Sequence, residues 1–93
     1  MIRSFRDKRT EQLFRKANIR GLPGDIIERA RRKLMALNAA HILDDLRVPP
    51  SNRLEALKGD MHGQYSIRIN DQSRLCFRWS DGHATDVEIC DYH

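Results

Sequence analysis

The chain has 93 residues, 32% charged and 40% apolar, with a formal net charge of +4. That length suits one domain, residues 1–93, with a single core. No run of 18 apolar residues is present to cross a membrane, Met1-Ile2-Arg3-Ser4-Phe5 lacks the apolar core of a secretory leader, and no Cys/His cluster has metal-ligand spacing.

Most of the 17 cations are arginine. Arginine meets phosphate in a planar, bidentate fashion and stacks on bases, so a nucleic-acid partner is expected ahead of a merely solvated basic surface. Cys76 and Cys90 are read as free thiols of a reducing cytoplasm, since the strand register below sets them on one face but offset.

In chain order, Ile2 to Phe5 alternates and can supply an edge strand. Asp7 is placed to cap a helix running to about Asn18, with Leu13, Phe14 and Ala17 as its buried stripe. Asn18 to Gly24 turns, and Pro23 fits the start of a second helix. There Ile27, Ala30, Leu34 and Leu37 recur at spacings of three and four, widened by Ile26 and Leu43. Arg29, Arg31, Arg32 and Lys33 occupy the remaining circumference. This helix is predicted to end near Leu46, ahead of Val48-Pro49-Pro50, and Pro49 to Arg53 reads as a loop.

From Leu54 the period changes to two. Leu54, Ala56 and Leu57 can anchor a short strand, closed by a turn at Gly59. Tyr65, Ile67 and Ile69 form one face of the next strand, and Leu75, Phe77 and Trp79 one face of the strand after it. Around Ser80-Asp81-Gly82, a two-residue turn would mix faces by setting Phe77 against Asp86. A three-residue loop pairs Leu75 with Val87, Phe77 with Thr85 and Arg74 with Glu88, and is predicted for that reason. The apolar face then packs on the helices. The opposite face carries Arg68, Arg74, Arg78, Glu88 and Tyr92 with both cysteines, and reads as wet. The fold class is therefore α+β: two N-terminal helices packed on one face of a small, mainly antiparallel sheet.

Three stretches stand out: Leu57-Lys58-Gly59-Asp60 leading into a strand, Arg74 within Asp71-Gln72-Ser73-Arg74-Leu75, and the closing Asp91-Tyr92-His93. In this order, and over essentially the whole chain, the sequence resembles HigB-like toxins of the RelE superfamily. The resemblance implies a RelE-like microbial ribonuclease fold and an endoribonuclease that cleaves mRNA, usually on the translating ribosome, thereby inhibiting translation. It also implies neutralisation by a helix-turn-helix, HigA-like antitoxin. Lys58, Arg74, Tyr92 and His93 match the family's site positions. At Glu55 several family members carry histidine, so a carboxylate is the candidate base there, or an orienter of Lys58.

Chemistry agrees with that assignment. Metal-free RNA cleavage uses the 2′-hydroxyl as nucleophile and calls for no cofactor. It requires proton transfer, which suits His93, and charge stabilisation at phosphorus, which suits Lys58 and Arg74. Tyr92 can stack on a base. Arg29, Arg31, Arg32, Lys33, Arg68 and Arg78 are the candidate contacts to message and ribosomal RNA. His41, His62 and His83 read as surface residues, and Trp79 as core or rim. The rival reading is a basic RNA-binding or repressor-complex module that binds without cutting; a purely structural protein would leave the arginine face unexplained.

Overall fold

Asp7 opens the first helix as its side chain predicts. Its Oδ1 accepts from the Thr10 amide at 2.9 Å, and α1 runs Lys8–Phe14. The computed structural model describes residues 1–15 and 21–91, so the predicted extension through Ala17 to Asn18 lies outside the described residues. Helix α2 spans Gly24–Ala39 and buries Ala30, Leu34 and Leu37, with Ile27 partly buried beside them.

Helix α2 stops earlier than its apolar pattern suggests. Ala40 is extended (φ −68°, ψ 134°), and Leu43–Arg47 forms a separate 3-10 turn. The cause is local. The Asp45 carboxylate accepts from the amides of His41 at 2.9 Å and Ile42 at 3.2 Å, which starts a new turn instead of continuing the old helix. Those two bonds hold the Asp45 carboxyl below the usual carboxylate range.

Four strands follow: β1 (Glu55–Ala56), β2 (Gln64–Arg68), β3 (Ser73–Ser80) and β4 (His83–Asp91). They pair antiparallel in the order β1-β2-β3-β4. The predicted N-terminal edge strand is reduced to single parallel bridges, Ile2 to Ala84 and Phe5 to Val87. The core lies between the helices and one sheet face, where Leu13, Leu34, Leu37, Ile67, Leu75, Phe77 and Val87 are fully buried. Thr10 Oγ1 accepts from the Ile89 amide at 3.2 Å and docks α1 on β4.

The last hairpin corrects the predicted loop. Asp81 (φ 51°) and Gly82 (φ 79°) make a two-residue turn, with Ser80 facing His83 and Arg78 facing Thr85. Both central residues need positive φ in such a turn, which Asp-Gly supplies. Face mixing is then cured further along. Asp86 (φ 51°) bulges, the register shifts by one, and Cys76 faces Glu88 while Leu75 faces Ile89. Val87 and Ile89 both stay buried. Arg74 consequently stands opposite Cys90 rather than Glu88, and Glu88 pairs with Arg6 at 3.1 Å.

The bulge should be sensitive to residue type. Asp86→Val is expected to lower stability by about 1–2 kcal/mol, because a branched residue resists left-handed backbone, whereas Asp86→Gly should stay within about 1 kcal/mol of the parent. Urea unfolding measures both, and equal midpoints for the two variants would contradict this role.

Candidate active site

Arg74 on β3 is the side chain around which the site is built, and it is only 6% exposed. Its Nε donates to Ser66 Oγ at 2.7 Å, and its Nη2 donates to the Arg53 carbonyl at 2.6 Å and the Ser66 carbonyl at 3.4 Å. Glu55 Oε1 lies 3.9 Å from Nη2. A buried guanidinium requires such partners, since unmet donors away from water carry a large desolvation penalty. The face predicted to be wet is therefore dry at its centre, where Ser66, Gln64 and Cys76 are buried too, while Arg78 remains exposed.

Around this centre the cations form a groove. Arg53, Arg68, Asn70, Asp71 and Arg74 line a recess of about 210 Å³. Arg29, Arg32, Lys33, Ser51, Arg68, Ile69 and Asn70 line a cleft of about 290 Å³. Arg68 and Asn70 belong to both, so one basic track leads from α2 across the end of β2 to Arg74. Arg68 is itself paired with Asp71, and Arg32 with Glu28 at 2.7 Å. Arg31 is turned elsewhere: its Nε donates to the Leu13 carbonyl at 3.0 Å and ties α2 to α1. Arg53 is the groove residue that sequence reasoning missed. It sits in an irregular segment with no periodicity to mark it.

The other predicted residues divide. Glu55 on β1 faces Ser66 across the strand pair and lies beside Arg74. Lys58 is exposed and directly precedes a 3-10 turn, Gly59–Met61. The Leu57 amide bonds the Gln64 carbonyl at 2.8 Å, and Gln64 faces Arg78, so Lys58 adjoins the Arg78 row. Four residues along β3 separate that row from Arg74, about 13 Å. The two cations thus stand at different points along the sheet. Arg78 lies over Gly63, where an added Cβ would meet its Nη1 at 3.2 Å. Tyr92 and His93 lie outside the described residues.

His41 and His62 are exposed, as expected for surface residues. His83 is half-buried, with Nε2 3.0 Å from Arg3 Nη2. Trp79 is half-buried and edge-on to Phe77 at 6.4 Å, a rim position. Among the described residues, no three His, Cys, Asp or Glu side chains converge as metal ligands. Cys76 and Cys90 are free thiols on neighbouring strands, with Cys90 opposite Arg74. Burial pushes both thiols up, and the Cys76 contact raises Cys90 further.

Solved structures share this architecture. The chain matches the YoeB-YefM complex from Staphylococcus aureus with a TM-score of 0.62 and 23% identity, covering 100% of this chain and 95% of that one. It matches the YoeB/ParE toxin from Agrobacterium tumefaciens at 0.51 and 17%, covering 99% and 96%. The fold is the α+β fold of RelE-like toxins.

Sequence narrows the class to a family. Residues 3–93 match the model of the HigB-like toxins, described as the RelE-like toxin of the type II toxin-antitoxin system HigB. Toxin HigB-1 of Vibrio cholerae is 45% identical over 90 residues, covering 96% of this chain and 95% of that protein. Endoribonuclease HigB of Proteus vulgaris is 32% identical over 93 residues, covering 100% of both. The chain belongs to the HigB-like toxin family.

Two outcomes follow from the burial of this face. Arg74→Ala should cost about 1–3 kcal/mol in urea unfolding, because it strands the Ser66 hydroxyl and the Arg53 carbonyl; an unchanged midpoint would show that Arg74 is not held as described. The raised thiols should alkylate far more slowly with iodoacetamide at pH 8 in the folded protein than in urea. Because the folded state keeps these protons longer than the unfolded chain, their contribution to stability is complete below the unfolded thiol pKa, near 8.5, and declines as pH rises above it.

Proposed function

We propose that this toxin is an endoribonuclease that cuts mRNA on the translating ribosome and so inhibits translation, acting in the cytoplasm as one domain over residues 1–93. The observation that carries this reading is Arg74, immobilised by four groups at the end of a groove lined by Arg29, Arg32, Lys33, Arg53 and Arg68. A fixed guanidinium is preorganised for a phosphorane-like transition state, whereas a solvated one would have to be ordered during the reaction. The name of the Proteus relative, an endoribonuclease, supports the same chemistry.

In the proposed mechanism the 2′-hydroxyl loses its proton and attacks the adjacent phosphorus without metal or other cofactor, the P–O5′ bond breaks, and the 5′-oxygen leaves with a proton, giving a 2′,3′-cyclic phosphate. Arg74 holds and neutralises the reacting phosphate, and Lys58, at the Arg78 end, neutralises charge on the same strand of RNA. Tyr92 positions the nucleotide and His93 transfers a proton to or from oxygen. Glu55, beside Arg74, is the carboxylate available as base. Arg29, Arg32, Lys33, Arg68 and Arg78 guide message and ribosomal RNA, with Arg31 supporting the helix pair. The partner is a helix-turn-helix, HigA-like antitoxin with acidic side chains toward this surface. The toxin-antitoxin complexes among the fold's neighbours support such pairing.

The test is cleavage of a defined message, free and ribosome-bound. The products should end in 2′,3′-cyclic phosphate, and Lys58→Ala or deletion of Tyr92 and His93 should each slow cleavage by about 10²–10⁴-fold. Replacing Arg29, Arg32 and Lys33 together should flatten the salt dependence of RNA binding by about 0.7–0.9 of a log–log unit per lost phosphate contact. Tight RNA binding with no new ends would instead identify a non-catalytic module.

A further inference from the structure

The segment between α2 and β1 has no regular secondary structure beyond short 3-10 turns, yet it contains one of the most buried polar side chains. Asn52 has no exposed surface. Its Nδ2 donates to the carbonyls of Leu46 at 3.1 Å and Val48 at 3.4 Å, and its Oδ1 accepts from Lys33 Nζ of α2. Its amide donates to the Pro49 carbonyl at 2.9 Å. One side chain therefore ties both arms of the loop together and fastens it to the helix.

The next residue is strained. Arg53 is left-handed, φ 45° and ψ 58°, a region that non-glycine residues enter rarely and at a cost. Its amide donates to the Pro50 carbonyl at 3.1 Å, and its carbonyl accepts from Arg74 Nη2 at 2.6 Å. Strain at a residue whose neighbours over-determine it, next to a buried charged group, indicates that the conformation serves a purpose. Resting on the reading of Arg74 as the phosphate-holding cation, we propose that Asn52 and the left-handed backbone of Arg53 form a positioning device that fixes the Arg74 guanidinium in its reactive orientation.

The geometry explains why two anchors are needed. Ser66 fixes Nε from β2, along the sheet, and the Arg53 carbonyl fixes Nη2 from the covering loop. Together they stop rotation of the planar guanidinium about its stem. Without the Arg53 carbonyl, the longer contacts of Nη2 to the Ser66 carbonyl at 3.4 Å and Glu55 at 3.9 Å set the tilt of the fork less tightly. Displacements on the order of 1 Å at such a group are sufficient to lower rate about 100-fold.

Backbone and side-chain roles of Arg53 are separable by substitution. Arg53→Gly, Arg53→Asn and Arg53→Val all remove the same guanidinium. Glycine and asparagine accept left-handed backbone, and valine does not. The saturating single-turnover rate on ribosome-bound message should therefore be at least about tenfold lower for Arg53→Val than for the glycine and asparagine variants, with KM alike in all three. Where Arg53→Val does not fold, Arg53→Ala carries the comparison. Independently of activity, the Arg74 Nη–H resonances, which include the donor to the Arg53 carbonyl, should exchange slowly in the wild type, Arg53→Gly and Arg53→Asn, and lose protection in Arg53→Val and Asn52→Ala. Equal rates and equal protection across the series would overturn the device. A wild type that fails to cut RNA would sink the reading of function, while the exchange measurement would still decide whether Asn52 and Arg53 hold Arg74.

Discussion

A charged arginine with only 6% of its surface exposed, Arg74, is the constraint to which most of this fold answers. Arginine stays charged under all relevant conditions, so burial cannot be eased by loss of a proton, and the surroundings must supply acceptors. That requirement accounts for a buried serine at Ser66 on the neighbouring strand, for Glu55 on the short first strand, and for a peptide carbonyl brought from the loop at Arg53. The helices cover one face of the sheet. Irregular chain covers part of the other, and Arg74 is what it closes upon.

Much of this was legible in the sequence, and the parts that were not share a cause. The Asp7 cap, the Ala30-Leu34-Leu37 stripe and the alternation in β2 and β3 are local patterns that periodicity reads directly. The end of α2 was missed because Asp45 competes for the amides of His41 and Ile42 through side-chain geometry, which a hydrophobic pattern does not record. The last hairpin was missed for a different reason. A longer loop and a later bulge both keep Val87 and Ile89 inside, so face matching alone does not separate them; the preference of Asp81-Gly82 for a two-residue turn does. Arg74 looked wet because period two assigns it to the outer face, correctly, and says nothing about what crosses that face.

The site was legible in the same uneven way. Arg74, Glu55, Arg68, Arg29, Arg32 and Lys33 were singled out by residue type, place and resemblance; the fold lines one groove with the cations and sets Glu55 beside Arg74, while Arg31 turns to α1. Arg53 and Asn52 carried no signal, since their significance lies in a left-handed φ and a set of loop hydrogen bonds that exist only once α2 and the sheet have assembled. Functional residues on loops are common because loops can vary while the scaffold stays fixed. Here the loop is fixed as firmly as the scaffold, through a buried amide.

Concentrating cations in this way has an energetic consequence that reaches beyond catalysis. Arg29, Arg32, Lys33, Arg53, Arg68 and Arg74 surround one continuous groove, and the acidic groups paired among them are Glu28, Asp71 and Glu55. Like charges held close together oppose the compact state, and partial burial adds to that opposition. Lys33 shows the contribution of burial alone: desolvation lowers its pKa even though its ammonium bonds Asn52. A polyanion laid in the groove removes the repulsion and so stabilises the folded protein, by an amount that grows with the logarithm of its concentration over Kd. The free toxin is thus held somewhat below the stability that its core would permit. The same charges that oppose its folding alone favour a polyanion in the groove, which is what the proposed RNA-cutting role requires.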